Sequence, residues 1–179
     1  MLTKEAKAIY DTPESYRSVL DPPERSRTYS SIRPDSVAGT VLARSMLSSP
    51  EAWASSSTTG VIWMQINAGS AMPVFGVRIK ARAAPSHSQY VRSVTVQYRA
   101  DESTWSNVDG GTTFTGASDP FHTEFRGNFD ALFATPVVAQ HIRVTVKSWN
   151  AHPSMRAGLL VTLTGAARKE AEENRMTED

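Results

Sequence analysis

Three groups of residues carry the chemistry this chain has to offer, and each lies between runs that read as strands. The first holds Tyr29, Arg33 and Asp35, the second Arg82, His87 and Gln89, the third Trp149, Asn150 and His152. Together they mix rings, cations and amides. Sugars present C–H patches that stack on aromatic rings and hydroxyls that pair with Arg, His, Asn and Asp. A small-ligand site needs one flat apolar face and a few fixed polar groups, and these loops supply both. Plainer roles stay open to the same residues: Arg82 tying down its loop, Tyr29 or Trp149 packing, His87 on the surface, Asp35 turning the chain after Pro34.

The elements that must position these loops show strand periodicity. Ile142, Val144 and Val146 alternate with His141, Arg143, Thr145 and Lys147, the pattern of a half-buried strand. Leu159, Val161 and Leu163 alternate with Leu160, Thr162 and Thr164, which predicts a second strand after a polar loop from Ser148 to Ser154. Ile62, Met64 and Ile66 form an inward row against Trp63, Gln65 and Asn67; Phe75, Val77 and Ile79 form another; Val94, Val96 and Tyr98 a third. Trp53 and Trp63 are expected in the core with Met46, Leu47 and the aromatics of Pro120 to Asp130. Arg27 to Arg44 reads as one long polar loop, punctuated by Pro34 and Gly39, and a loop that long in an all-β domain is more often functional than incidental. Asp109-Gly110-Gly111 is a hairpin signal. The expectation is an all-β, antiparallel β-sandwich or jelly-roll barrel with its loops gathered at one end.

That domain takes residues 26–165. Residues 1–25 lack a strand period: Lys4 to Tyr10 has room for one or two helical turns, Asp11-Thr12-Pro13-Glu14 reads as a helix start, and Asp21-Pro22-Pro23 stops any helix. They are expected to form an extension that packs on the domain or reaches a partner. Residues 166–179 form a charged tail, either a frayed helix with i,i+4 pairs or a disordered segment.

Composition excludes several functions. The 19 basic and 18 acidic residues leave a net charge of +1, and Lys and Arg are not expected to cluster into a stripe with interleaved aromatics, so nucleic acid is not an expected partner. There are no cysteines, hence no disulfide, thiolate nucleophile or Cys-based zinc site. His87, His122, His141 and His152 have no metal-ligand spacing. A nucleophile elbow, a phosphate-cradling loop and a dinucleotide fingerprint are all missing, and no enzyme activity is expected. The N-terminus reads as too charged for a signal peptide, and no apolar run approaches about 18 residues. The simplest expectation is a soluble cytoplasmic protein, with unconventional export left open.

Several blocks, in order, carry a resemblance. They are Ser45-x-Leu47 followed by Ala52-Trp53, then the strand Trp63 to Gly69, the strand ending in Arg82, Phe114-x-Gly116, Pro136-Val137-x-Ala139-x-x-Ile142-Arg143-Val144, Trp149, and Met155-Arg156-Ala157-Gly158-Leu159. From about Ser30 to Gly165 the chain resembles discoidin domains, also called coagulation factor 5/8 type C domains, of the galactose-binding-like superfamily. It departs from the pattern at Ser48, Asn67, Lys80, Ala81 and Ala117. The resemblance implies a non-catalytic domain that binds a ligand through loops at one end of the barrel, with Arg82 matching a loop Arg that often touches ligand and Trp149 and Arg156 matching structural positions. With the loop chemistry above, it points to a lectin for galactose or N-acetylgalactosamine-type glycans, and the residues expected to serve are Arg82, His87, Tyr29, Arg33, Asp35, Gln89, Trp149 and His152. Alternatives are a protein-interaction module and, last, a phospholipid-surface binder with apolar tips at Ile32, Val41 and Leu42. No cofactor is implied beyond a structural calcium in some relatives. The disulfide that clamps secreted relatives has no counterpart near Ala166, so strand pairing, the N-terminal arm or a homo-oligomer must hold the ends.

Overall fold

Alternating apolar residues make the two longest strands, and those two strands make the fold. In the computed structural model, which describes Lys4 and residues 17–83, 88–116 and 127–162, β4 (Ile62–Lys80) and β8 (Phe129–Asn150) pair antiparallel along most of their length. Ile62, Met64 and Ile66 are buried on one, and Ile142, Val144 and Val146 on the other. The pairing slips in register between Asn67 and Met72. There Gly69 takes a φ of +89°, and the Asn67 side-chain oxygen accepts its amide at 2.8 Å, a turn a side chain at Gly69 would strain. The pattern predicts two separate strands here; the structure makes them one.

Each long strand serves two layers. In the first, β2 (Arg27–Tyr29) pairs with the first half of β4, which pairs with the second half of β8, followed by β5 (Tyr90–Arg99) and, on β5, the short β6 (Ser106–Asn107) and β7 (Phe114–Thr115). In the second, the first half of β8 pairs with the second half of β4, which pairs with β9 (Ser154–Thr162); β1 (Arg17–Leu20) and β3 (Trp53–Ala54) both pair with β9. This is the antiparallel β-sandwich that the sequence predicts. Between the layers lie Trp53, Met64, Ile66, Phe133, Met155 and Leu159, all without exposure, each contributing about 1.5–3 kcal/mol by leaving water.

Several local expectations are corrected. The predicted loop Ser148–Ser154 shrinks to residues 151–153, because β8 runs on to Asn150. Ala151 makes the reversal with a φ of +59°. Leu160, expected to face out, is 4% exposed: the outer face of β9 is covered, with Leu47 lying over Gly158. Trp63 is only half-buried and faces outward. Asp109-Gly110-Gly111 does turn the chain, with Asp109 at φ +47° and Gly110 at φ +66°, but β6 and β7 on its two sides pair with β5 and not with each other. The Asp109 carboxylate accepts the amides of Ala134 and Thr135 at 2.6 and 3.1 Å.

The N-terminal side differs most. Residues 17–20 form β1, in register with β9 from Arg17↔Thr162 to Leu20↔Leu159. The disulfide-free domain thus joins its ends by strand pairing. Arg27, expected in a loop, is in β2 and buried. Residues 5–16, His87, Ala117, Phe121, His122, Phe125, Leu163 and the charged tail lie outside the described residues.

Gly76 sits where β4 meets both β8 and β9. A Cβ there would lie 2.8 Å from the Ala131 carbonyl oxygen and 3.0 Å from Leu160 Cδ1. Backbone of a paired strand cannot yield cheaply, so Gly76→Ala is expected to lower stability by about 1–3 kcal/mol in urea denaturation; an unchanged midpoint would mean that the two strands separate freely at this point.

Candidate functional site

The end of the sandwich where β9 begins collects most of the predicted loop residues. Arg82 follows β4 directly, so the strand fixes where its side chain starts. Its amide donates to the Gln89 carbonyl at 3.2 Å, closing the base of the loop. Its guanidinium donates from Nε to Glu51 Oε2 at 3.0 Å and from Nη1 to Gln89 Oε1 at 3.1 Å. Ser154 Oγ reaches the same Gln89 oxygen at 3.4 Å. The Arg82 side chain keeps 17% exposure and Glu51 32%, so the pair meets solvent while its geometry is held. A guanidinium has five N–H donors in a fixed fork, and two are used by Glu51 and Gln89 among the described residues.

The β8–β9 turn completes this end. Asn150 donates to the Ser88 carbonyl at 2.8 Å and accepts from Arg92 at 3.0 Å. The His152 amide bonds the Asn150 carbonyl at 2.7 Å, and its Nε2 lies 2.8 Å from the Ser55 carbonyl oxygen. Ser55 in turn donates its amide to the Pro153 carbonyl at 3.2 Å, and its hydroxyl lies 2.9 Å from that of Ser31. Two polar chains therefore converge, one through Glu51, Arg82, Gln89 and Ser154, the other through Ser88, Asn150, His152, Ser55 and Ser31. The Arg33 amide bonds the Ala54 carbonyl at 3.2 Å and anchors the long loop beside them. Arg33 and Asp35 form a loose pair at 4.0 Å, exposed 45% and 70%.

Two of the predicted residues sit elsewhere in the packing. The Tyr29 ring stacks on Trp53 at 5.3 Å, and its hydroxyl lies 3.0 Å from Glu24 and 2.8 Å from Ser45; burial pushes this phenol well above its ordinary value. Trp149 is half-buried against the core. Arg156 acts as a structural tie, donating to the carbonyls of Ala81, Leu47 and Ser49. Of the apolar tips named from sequence, Leu42 is buried, Ile32 half-buried and Val41 exposed; Val37, on the same loop, is exposed as well. Glu51, Ser55 and Ser154 were not among the sequence candidates. Glu51 lies within a run that reads as packing, and nothing in it signals a partner 31 residues away.

A shallow cavity of about 480 Å³ adjoins this end, lined by Arg78, Ile79, Lys80, Asn128, Phe129 and Asp130. Its wall is stiffened by a two-toothed Arg78–Asp130 pair, 2.9 Å at each contact, and Asn128 accepts the Ala81 amide at 2.9 Å. Among the described residues no group of three His, Asp or Glu side chains is placed to hold a metal ion. The arrangement offers fixed donors and acceptors without an activated nucleophile, which suits holding a polyhydroxylated ligand.

Comparison with known proteins agrees with this fold. The family model of the F5/8 type C domain matches residues 30–159. Lactadherin of Sus scrofa is 26% identical over 109 residues, covering 61% of this chain and 27% of that protein. Discoidin-1 of Dictyostelium discoideum is 32% identical over 106 residues, covering 59% and 39%. The matches thus span only about a quarter to two-fifths of these relatives' length. Among solved structures, the family 32 carbohydrate-binding module of C. perfringens NanJ, in complex with galactose, superposes with a TM-score of 0.59 at 13% identity, over 80% of this chain and 98% of that one. The chain belongs to the F5/8 type C domain family, a family of non-catalytic binding modules.

Proposed function

We propose that the chain binds a galactose- or N-acetylgalactosamine-type glycan through the loops at the end of the sandwich that carries Arg82. The observation that carries this reading is the fixed Glu51–Arg82–Gln89–Ser154 cluster. A sugar with an axial hydroxyl presents two or three oxygens in one fixed fan, and a guanidinium held by a carboxylate and an amide presents donors in a matching fan. The galactose complex of a structural neighbour supports the ligand class. His152 and the Arg33 amide are tied to residues 54 and 55, Asp35 pairs loosely with Arg33, and His87 belongs to the Arg82 loop in sequence.

A glycan array followed by calorimetric titration tests the reading. Arg82→Ala is expected to lower affinity at least about tenfold, the worth of one charge-assisted hydrogen bond, with a cooperative thermal melt showing that the variant still folds. No binding of any galactose-type sugar at millimolar concentration would overturn it. A protein ligand is the second reading, favoured by Val37 and Val41, exposed 73% and 52% on the same long loop. Loss of a captured partner in V37S/V41S with sugar affinity intact would support that one.

A further inference from the structure

The outer face of the first layer holds a second constellation, well away from the end loops. Along the sequence its members are scattered; the sheet gathers them. The Arg143 guanidinium lies 4.5 Å from the centre of the Trp63 ring and 4.3 Å from that of Trp105, and the Arg99 guanidinium lies 4.5 Å from Trp105. Arginines with interleaved aromatics, not visible in the linear order, are therefore present. Arg143 Nη2 donates to Gln65 at 3.1 Å. Arg99 and His141 face each other across the β5–β8 pair. From Tyr90, where β5 leaves the loop end, Arg99 is nine residues away, roughly 30 Å along a strand.

A carboxylate already occupies this place. Glu102, on the turn after β5, puts Oε2 2.9 Å from Arg99 Nη2 and Oε1 3.0 Å from His141 Nε2. The three side chains differ sharply in burial: Arg99 is 16% exposed and His141 6%, but Glu102 is 79% exposed. Glu102 thus reaches in from solvent, and a side chain so held is easily displaced. It also leaves the cradle incompletely satisfied. Among the described residues His141 Nδ1 has no hydrogen-bond partner, nor has Nε of Arg99 or Arg143. Buried polar atoms without partners are costly, and a better-seated oxyanion would relieve them.

We propose that this cradle, Arg99, His141 and Arg143 framed by Trp63 and Trp105, binds the oxyanion of an acidic saccharide, a uronate or a sulfated sugar, and that Glu102 is its built-in competitor. The carboxylate position shows that the geometry accepts an oxyanion; the choice of a saccharide rests on the carbohydrate reading above and on the amide side chains of Gln65 and Gln97, in register on either side of Arg143, which suit hydroxyls.

The test uses the full chain, titrated by calorimetry with glucuronate, glucose 6-sulfate, glucose, inorganic sulfate and a short single-stranded oligonucleotide. Glu102→Gln removes the competing charge on an exposed side chain. It is expected to tighten glucuronate or glucose 6-sulfate at least tenfold over the parent, and whichever of the two responds identifies the oxyanion. Arg99→Gln in the Glu102→Gln background is expected to abolish that gain, whereas Arg82→Ala is expected to leave it unchanged, so that failure of the end-loop reading is distinguished from failure here. An unchanged affinity in Glu102→Gln would overturn the proposal. So would sulfate binding as tightly as the acidic sugars, which would leave the saccharide without a role, or oligonucleotide binding in place of sugar binding.

Discussion

Replacing Arg27 by Met is expected to destabilise the fold by about 3–5 kcal/mol. The Arg27 side chain has no exposure, and its carboxylate partner Asp21 lies 2.7 Å away. Its remaining donors reach the carbonyl oxygens of Pro22, Ser45 and Ala157 at 2.9, 2.9 and 2.6 Å. Methionine fills the space of the stem but strands those carbonyls and the carboxylate. The loss spreads because Asp21 also accepts the Leu47 amide at 3.0 Å, and Glu24 the amides of Ser45 and Met46 at 2.7 and 2.9 Å. One guanidinium therefore holds residues 21–24 and 45–47 against β9. Burial lowers its pKa but leaves an arginine charged at any working pH, so the cost is expected to be insensitive to neutral-range pH. Urea denaturation measures it; a loss under about 1 kcal/mol would mean that water reaches the guanidinium in solution.

Trp53→Ala is expected to cost a similar amount, about 3–5 kcal/mol, and to weaken ligand binding as well. Trp53 is fully buried, in the two-residue strand β3 opposite Met155. Its ring stacks on Tyr29 and its indole N–H donates to the Ser31 carbonyl at 2.8 Å. Core and loop are thus linked through one side chain: removing it opens a cavity and frees Ser31, which neighbours Ser55 and His152 at the loop end. Trp53→Phe separates the two effects. It keeps most of the packing, loses the N–H, and is expected to cost about 1–3 kcal/mol, the penalty of one orphaned buried carbonyl. Thermal melts beside sugar titrations check both; full affinity in Trp53→Ala would show that the loop is positioned without it.

The strands with strict alternation were legible because burial on one face leaves a period of two. Ile62 to Ile66 and Ile142 to Val146 are the clear cases. The same alternation had already put Trp63 in the outward row, and expecting it in the core weighed residue type over position. β1 and β2 were hidden for a different reason. Arg17-Ser18-Val19-Leu20 has no pattern of its own and is a strand only because β9 offers it an edge. Arg27 carries a charge that marks a surface, and the carbonyls that make its burial tolerable come from as far away as Ala157. At the site, the loop residues Arg82, Gln89 and His152 could be read from type and context. Glu51 and Ser154 could not, since their part is set by which strands the sheet brings alongside. The Arg99–Trp105–Arg143–Trp63 arrangement is invisible in sequence on the same grounds.

The pairing of Arg17 with Thr162 has a bearing on how the domain can be mounted. Both lie at the far end of β9 from Ser154, eight residues or roughly 26 Å along the strand. Arg17 and Thr162 sit side by side at the floor of the sandwich, while the Arg82 loops are at the roof. A host polypeptide can therefore carry this domain like a lamp on a stalk. Lengthening the stalk changes reach and the avidity of several copies acting together, without touching the affinity of a single mouth.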